Sequence, residues 1–292
     1  MRRLLVFGFA LVALFVGLIS NSAVNARRSS SDTGDARLKT VVHVIEDYKT
    51  PGLEAELSGI YPHPTDANLY YVLTNKQPPY RYGQKPMLAE EYRGKLLTVE
   101  KKTGKIVKAI KLVDDDFGGL VFADGHFYAA LTNGAAILKL DPKTFEILAE
   151  YRLPSPAGGL GYDAERGVLI AQLYVGHPHL AVVNVKTGAI VESLWSDESA
   201  MGLAKVDGDW LCTWASGWDP GSFSELRVID QKTGRVRARM RLDGIHTAIA
   251  PEKDSQGGPA FLSLMTVDSR TGATIIRKFS YKGEGNASSA HR

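Results

Sequence analysis

Between residues 38 and 282 the apolar positions fall in short runs parted by polar turns, and no stretch keeps a helical period. A glycine followed by an apolar residue recurs at Gly59-Ile60, Gly119-Leu120, Gly159-Leu160 and Gly202-Leu203, with a degenerate fifth start at Ala248-Ile249. Each start is followed by a second apolar run: Leu69–Leu73, His126–Leu131, Val168–Leu173, Trp210–Trp214 and Ala260–Met265. A third run follows the first four, at Leu96–Val99, Ile137–Leu140, Leu180–Val185 and Leu226–Ile229. A polar turn and a fourth run complete each of these units. The turns read Lys102-Thr103-Gly104, Lys143-Thr144-Phe145, Lys186-Thr187-Gly188 and Lys232-Thr233-Gly234.

The fourth runs alternate: Val236, Ala238, Met240 and Leu242 are separated by Arg237, Arg239 and Arg241. Alternation marks a strand with one wet face, whereas the continuously apolar inner runs mark strands buried on both faces. Four antiparallel strands per unit, with a period of roughly 40–46 residues, make a propeller blade. The last unit supplies three strands: one around Ala248, then Ala260–Val267 and Thr274–Tyr281. Val41–Ile45, ahead of the first start, has no unit of its own. It is expected to pair with Thr274–Tyr281 and close the ring, which gives an all-β, five-bladed β-propeller. The alternative, a six-bladed ring, needs about 40 more residues. The only spare stretch is Lys76–Arg93, which reads as loop.

Blade connectivity sorts the loops. Those joining second to third strands, and those joining blades, share one end of the propeller, and the Lys-Thr-Gly turns occupy the other. The turns are short, alike and structural. The opposite loops are long and dissimilar. Blade 1 contributes Tyr80 and Tyr82, blade 3 His177-Pro178-His179, and blade 4 Trp214 through Phe223, including Trp218 and Asp219. The inter-blade loops add Glu54, Glu56, Asp114-Asp115-Asp116, Asp197-Glu198 and His246. The candidate ligand-binding set is therefore Glu56, Tyr80, Tyr82, Asp116, His177, His179, Glu198, Trp218, Asp219 and His246. Aromatic and carboxylate groups on loops around a channel mouth are what a ligand site needs. Trp214 reads equally as site or as core. Two histidines two apart do not complete a metal set, so no metal site is assigned. The Asp114–Asp116 run offers calcium its preferred oxygen ligands, without a regular spacing.

Composition narrows the classes. Hydrophobic residues are 44% of the chain and charged residues 23%, the values of a globular protein. The net charge is +3, and Arg2, Arg3, Arg27 and Arg28 supply part of the excess, so no nucleic-acid footprint is expected. The lone cysteine, Cys212, sits in an apolar strand and reads as a small core residue. Arg2-Arg3, the apolar run Leu4–Ile19 and the small residues of Ser22–Ala26 have the order of a secretory signal peptide cut after Ala26. The domain reading is a signal peptide over 1–26, a disordered lead-in over 27–37, the propeller over 38–282 and a disordered tail over 283–292. A secreted or periplasmic monomer follows, with an uncleaved anchor as the alternative.

Gly119–Tyr128, followed by Ile137–Thr144 with its Leu140-Asp141-Pro142-Lys143-Thr144 turn, resembles exported propeller families. Blade count, size and turns are similar to the plant-type glutaminyl cyclases (glutamine cyclotransferases). The opening Glu56–Ile60 is similar to the esterase-like phytase propellers, and the repeats also resemble YVTN-type and gluconolactonase-type propellers. The cyclase family places a glutamate beside Gly-Leu at the channel; the matching positions here are Gly118 and Gly158. Two function classes follow. One is a binding propeller that takes a small molecule, peptide, glycan or another exported protein at the mouth. The other is a small-molecule hydrolase or cyclotransferase, with its carboxylates or His246 in the channel.

Overall fold

The computed structural model describes residues 41–50, 57–74, 92, 94–112, 117–174, 180–196, 201–206, 208–217, 222–268 and 273–282. The proposed leader, lead-in and tail, and most of Lys76–Arg93, lie outside them. Among the described residues, twenty strands form five four-stranded antiparallel sheets. Strand β1 (Val41–Lys49) comes first. Blade 1 holds β2 (Leu57–Pro62), β3 (Leu69–Thr74), β4 (Lys95–Glu100) and β5 (Ile106–Lys111). Blade 2 holds β6 (Phe117–Ala123), β7 (His126–Leu131), β8 (Ala136–Leu140) and β9 (Ile147–Arg152). Blade 3 holds β10 (Ala157–Asp163), β11 (Val168–Leu173), β12 (Leu180–Asn184) and β13 (Ile190–Leu194). Blade 4 holds β14 (Gly202–Val206), β15 (Asp209–Ala215), β16 (Ser224–Asp230) and β17 (Val236–Leu242). Blade 5 holds β18 (Ile245–Lys253), β19 (Pro259–Asp268) and β20 (Ala273–Lys282), and β1 completes it on the outside. Val41 pairs with Lys282 and Lys49 with Ile275. The ring is a five-bladed β-propeller closed as the sequence pattern requires, which removes an open edge inside the last blade.

The recurrent glycine has a steric cause. Each innermost strand (β2, β6, β10, β14, β18) has one partner within its sheet and packs on the innermost strands of the neighbouring blades. A Cβ at Gly119 would stand 2.7 Å from the Leu160 nitrogen, and one at Gly202 would stand 2.5 Å from the Ile249 nitrogen. Any side chain there would push the inner strands apart and widen the ring. The apolar residues after each glycine, from Ile60 to Leu203, and Ile249 after Ala248, are buried between blades. Trp210, Tyr70, Tyr128, Phe117 and Phe127 fill the rest of these layers.

The hairpins between third and fourth strands share one design. Asp141, Asn184 and Asp230 accept the amides two and three residues on, at 2.8–3.0 Å. Such Asx turns fold the chain locally. Gly104, Gly188 and Gly234 then take φ near +70°, and Phe145 takes +61° in the same place. Phe145 bears that conformation because its ring is buried against Phe127, with centroids 5.3 Å apart.

In three of these hairpins the second residue reaches the preceding blade. Lys101 binds Glu252 of blade 5 at 2.8 Å. Gln231 binds Asp163 of blade 3 at 2.6 Å. In blade 3 the equivalent Val185 is buried, and its carbonyl accepts the hydroxyls of Tyr151 and Tyr128 from blade 2. Asp163 also accepts Lys205 Nζ at 2.6 Å and the amides of Glu165 and Arg166. Burial alone would push the Asp163 carboxyl up, but these hydrogen bonds outweigh it and hold it below the ordinary carboxylate value.

Candidate functional site

Strand register fixes which loops meet. Leu57 faces Thr74, Phe117 faces Leu131, Ala157 faces Leu173, Gly202 faces Thr213, and Ile245 faces Thr266. Each inner strand thus begins where its neighbour ends. All ten candidate residues are rooted at these ends. Nine of them, Glu56, Tyr80, Tyr82, Asp116, His177, His179, Glu198, Trp218 and Asp219, lie outside the described residues. The Asp114–Asp116 run lies outside them too. The strands from which they spring share one end of the ring.

Two of the long loops are pinned at the base by hydroxyl groups. The buried Thr74 donates to the Tyr92 carbonyl at 2.6 Å and accepts the Lys95 amide at 3.0 Å. Ser216 donates its amide to the Phe223 carbonyl at 2.9 Å, while its Oγ accepts the Phe223 amide at 3.0 Å. Tyr174, at the root of the blade 3 loop, is 45% exposed, and its ring covers Gly158 so closely that a Cβ there would overlap it. Trp214 is half-buried and packs against its neighbours. The Arg227 guanidinium lies 4.0 Å over its ring, and Phe223 meets it edge-on at 6.0 Å.

His246 is the one candidate among the described residues, and it is 1% exposed. Its amide donates to Ser224 Oγ at 2.8 Å. The ring lies between Ser263 Oγ, 2.8 Å from Nδ1, and the Asp243 carbonyl, 2.9 Å from Nε2. A carbonyl only accepts, so Nε2 carries the hydrogen. The single hydroxyl hydrogen of Ser263 goes either to Nδ1 or to the Ala248 carbonyl, 2.7 Å from Oγ. Burial pushes the ring down to about 4, so it is neutral at pH 7. The triad of hydroxyl, imidazole and orienting carbonyl copies a nucleophile with its base. Ser263 is fully buried, however, and the group works as a strut joining blade 5 to blade 4.

The sequence pattern did not announce how unevenly polar groups are spread between the blades. At one position of the third strand, the residues opposite Val72, Ala129 and Ala171 are Leu97, Leu138 and Ala181. Opposite Cys212 and Ser263 stand Arg227 and Arg277 instead. Arg277 grips Asp47 with two hydrogen bonds of 2.8 Å, which hold the Asp47 carboxyl below its usual range. Arg227 is 2% exposed and pairs with Glu225 at 2.7 Å; burial pushes it down to about 10. Gln172, wholly buried on the face of blade 3 that meets blade 4, keeps Oε1 without a partner among the described residues. Both seams of blade 4 are therefore polar where the first three blades carry aliphatic side chains. A lone arginine inside an apolar run, as in Leu226-Arg227-Val228-Ile229, was the available signal.

Cys212 is buried and its thiol is pushed up to about 12 by burial, so it stays protonated and inert as a nucleophile. Among the described residues no group of three or more His, Cys, Asp or Glu is placed to hold a metal ion.

No family model and no curated protein matches the chain. Solved structures do. The glutaminyl cyclase of Myxococcus xanthus superposes with a TM-score of 0.60 at 13% identity, over 85% of this chain and 99% of that one. The PQQ-bound aldose sugar dehydrogenase of Streptomyces coelicolor gives 0.49 at 14% identity, over 84% of this chain and 99% of that one. At 13% identity the likeness to the cyclase is one of fold. It agrees with the resemblance that the repeats and turns carry.

Proposed function

We propose that this is an exported β-propeller whose loop end binds a peptide, a glycan or another exported protein. The observation that carries the reading is the pinning of long loops by Thr74 and Ser216 at the same end as the exposed Tyr174. Ordering loop roots costs conformational entropy. At the other end the hairpins of blades 1 to 4 are short and share one backbone hydrogen-bonding pattern. In this reading the loop residues Tyr80, Tyr82, His177, His179 and Trp218 supply the contact surface, with Glu56, Asp116, Glu198 and Asp219 as hydrogen-bond acceptors, while His246 is a buried strut between blades 4 and 5. Calcium at Asp114–Asp116 belongs to the same proposal, and chelation should then weaken ligand binding.

A catalytic reading draws support from the fold shared with a glutaminyl cyclase. It is disfavoured by the sealed Ser263–His246 pair and by the protonated Cys212 thiol. Replacing Trp218 and His177 by alanine tests the binding reading. The double variant should keep its thermal midpoint within about 2 °C, as surface changes do. It should also lose binding, by tenfold or more, to whichever glycan or peptide the wild type selects from an array. Unfolding of the variant would return both side chains to the core. Export is tested by N-terminal sequencing of protein recovered outside the cytoplasm, which should begin at Arg27.

A further inference from the structure

Blade 4 has a second surface, away from the loop end. Residues 224–242, β16 through β17, hold six basic side chains and two acidic ones, an excess larger than the +3 of the whole chain. Four of the six are Arg235, Arg237, Arg239 and Arg241, at alternating positions and all exposed. Alternate residues of a strand stand about 6.7 Å apart on one face. Strand β17 is the outermost of its sheet, with only β16 beside it, so its other backbone edge has no partner within the sheet.

Charged residues on an edge often serve only to keep other chains away. Three features argue for more than that here. No other outer strand carries four arginines at alternate positions: β5 has Lys108 and Lys111, β9 mixes Glu150 with Arg152, β13 carries Glu192 alone, and β1 mixes Glu46 and Asp47 with Lys49. Two of the arginines are held in place, Arg237 by both oxygens of Asp209 at 3.0 Å and Arg241 by stacking 4.4 Å over Phe223. Fixing these long side chains in advance lowers the entropy that a ligand must offset. Finally, Trp195, 52% exposed, lies beside the hairpin that starts β17, its carbonyl against Gly234. An aromatic residue next to arginines is the composition of a contact surface.

We propose that the outer edge of β17 docks an extended peptide with acidic residues at alternate positions, which adds as a fifth strand to blade 4. Main-chain hydrogen bonds supply the strand pairing, and carboxylates two residues apart meet the guanidinium forks at the same spacing. An apolar side chain at the peptide's end rests on Trp195.

The test uses the purified protein and fluorescent synthetic peptides. A peptide alternating valine with aspartate should bind, and should bind at least tenfold more weakly in 0.5 M salt, where exposed charges are screened. Lysine in place of aspartate should abolish binding. Proline at alternate positions, which removes the ladder donors, should weaken it tenfold or more. Arg235→Glu with Arg241→Glu should weaken it tenfold or more at an unchanged thermal midpoint. Should that variant fail to fold, Arg235→Lys with Arg241→Lys keeps the charge, loses the bidentate fork, and should weaken binding about threefold. Equal binding by wild type and the variants overturns the proposal. So does equal binding of the proline peptide, or tighter binding of polygalacturonate or phosphatidylglycerol vesicles than of the acidic peptide.

Discussion

Nδ1 of His246 and Oγ of Ser263 stand 2.8 Å apart inside the seam of blades 4 and 5, sealed from water. The ring is held near a value of 4, below the 6.5 of an unfolded histidine. Between these limits the unfolded chain binds a proton that the folded ring refuses. Stability from this group is complete above pH 6.5 and falls as the pH drops toward 4, by about 3 kcal/mol in all. Urea midpoints at pH 7 and pH 4.5 should show that loss in the wild type. In His246→Gln the difference between the two pH values should shrink by more than half.

Phe145 occupies a left-handed conformation that its equivalents reserve for glycine. Cutting the ring to alanine removes a buried aromatic group and should cost about 3 kcal/mol. Alanine also keeps the steric penalty of positive φ, about 1 kcal/mol, which glycine avoids. Phe145→Gly should therefore be more stable than Phe145→Ala by about 1 kcal/mol in chemical denaturation, although glycine buries less. The opposite order would mean that the hairpin relaxes once the ring is gone.

Asp163 gathers Lys205, Gln231 and two amides on a carboxylate with no exposed surface. Asp163→Asn leaves the nearly buried Lys205 ammonium facing a neutral amide. The loss should be about 3 kcal/mol. Lys205→Met with Asp163→Leu should recover only part of it, since the apolar pair removes both charges but leaves Gln231 and the two amides without their acceptor. Equal stability of wild type and Asp163→Asn would show that Glu165 alone satisfies the lysine.

Glutaminyl cyclase activity should be absent or very weak. The resembled family carries an acid beside its Gly-Leu pairs. Here a Cβ at Gly118 would lie 2.4 Å from the Ala157 carbonyl oxygen, and one at Gly158 would overlap the Tyr174 ring. Packing leaves no room for a carboxylate at either place. Ready conversion of an N-terminal glutamine peptide to pyroglutamate by the pure protein would overturn this.

Much of the architecture was legible because a propeller writes its burial twice, once along each strand and once per blade. Val168–Leu173 and His126–Leu131 match β11 and β7 to the residue, since both strands are covered on both faces. The recurring glycines were visible as a repeat, but their cause lies in the neighbouring blade. The pairing of Arg227 and Arg277 with acids was not legible, because Glu225 is two residues away and Asp47 is 230 residues from Arg277. His246 drew attention as a titratable group on a loop. Its burial follows from Ser224 and Ser263, whose approach depends on how blades 4 and 5 pack. The loop residues of the candidate site are legible by type and by the strand end from which they spring.

The join between β1 and β20 sets a condition on how the molecule is made. Asp47 leaves the ribosome long before Arg277, its partner across 230 residues of chain, exists. Closing so long a loop is entropically costly and slow compared with forming the hairpins inside each blade. Four blades can therefore assemble as local units, whereas the fifth waits for the last strand. A chain cut between β19 and Ala273 keeps β1 without its mate, although β18 and β19 still meet β2 at the inner seam. The outer rim of blade 5 is thus the last part of the molecule to take shape, since its two strands, β1 and β20, lie at opposite ends of the propeller sequence.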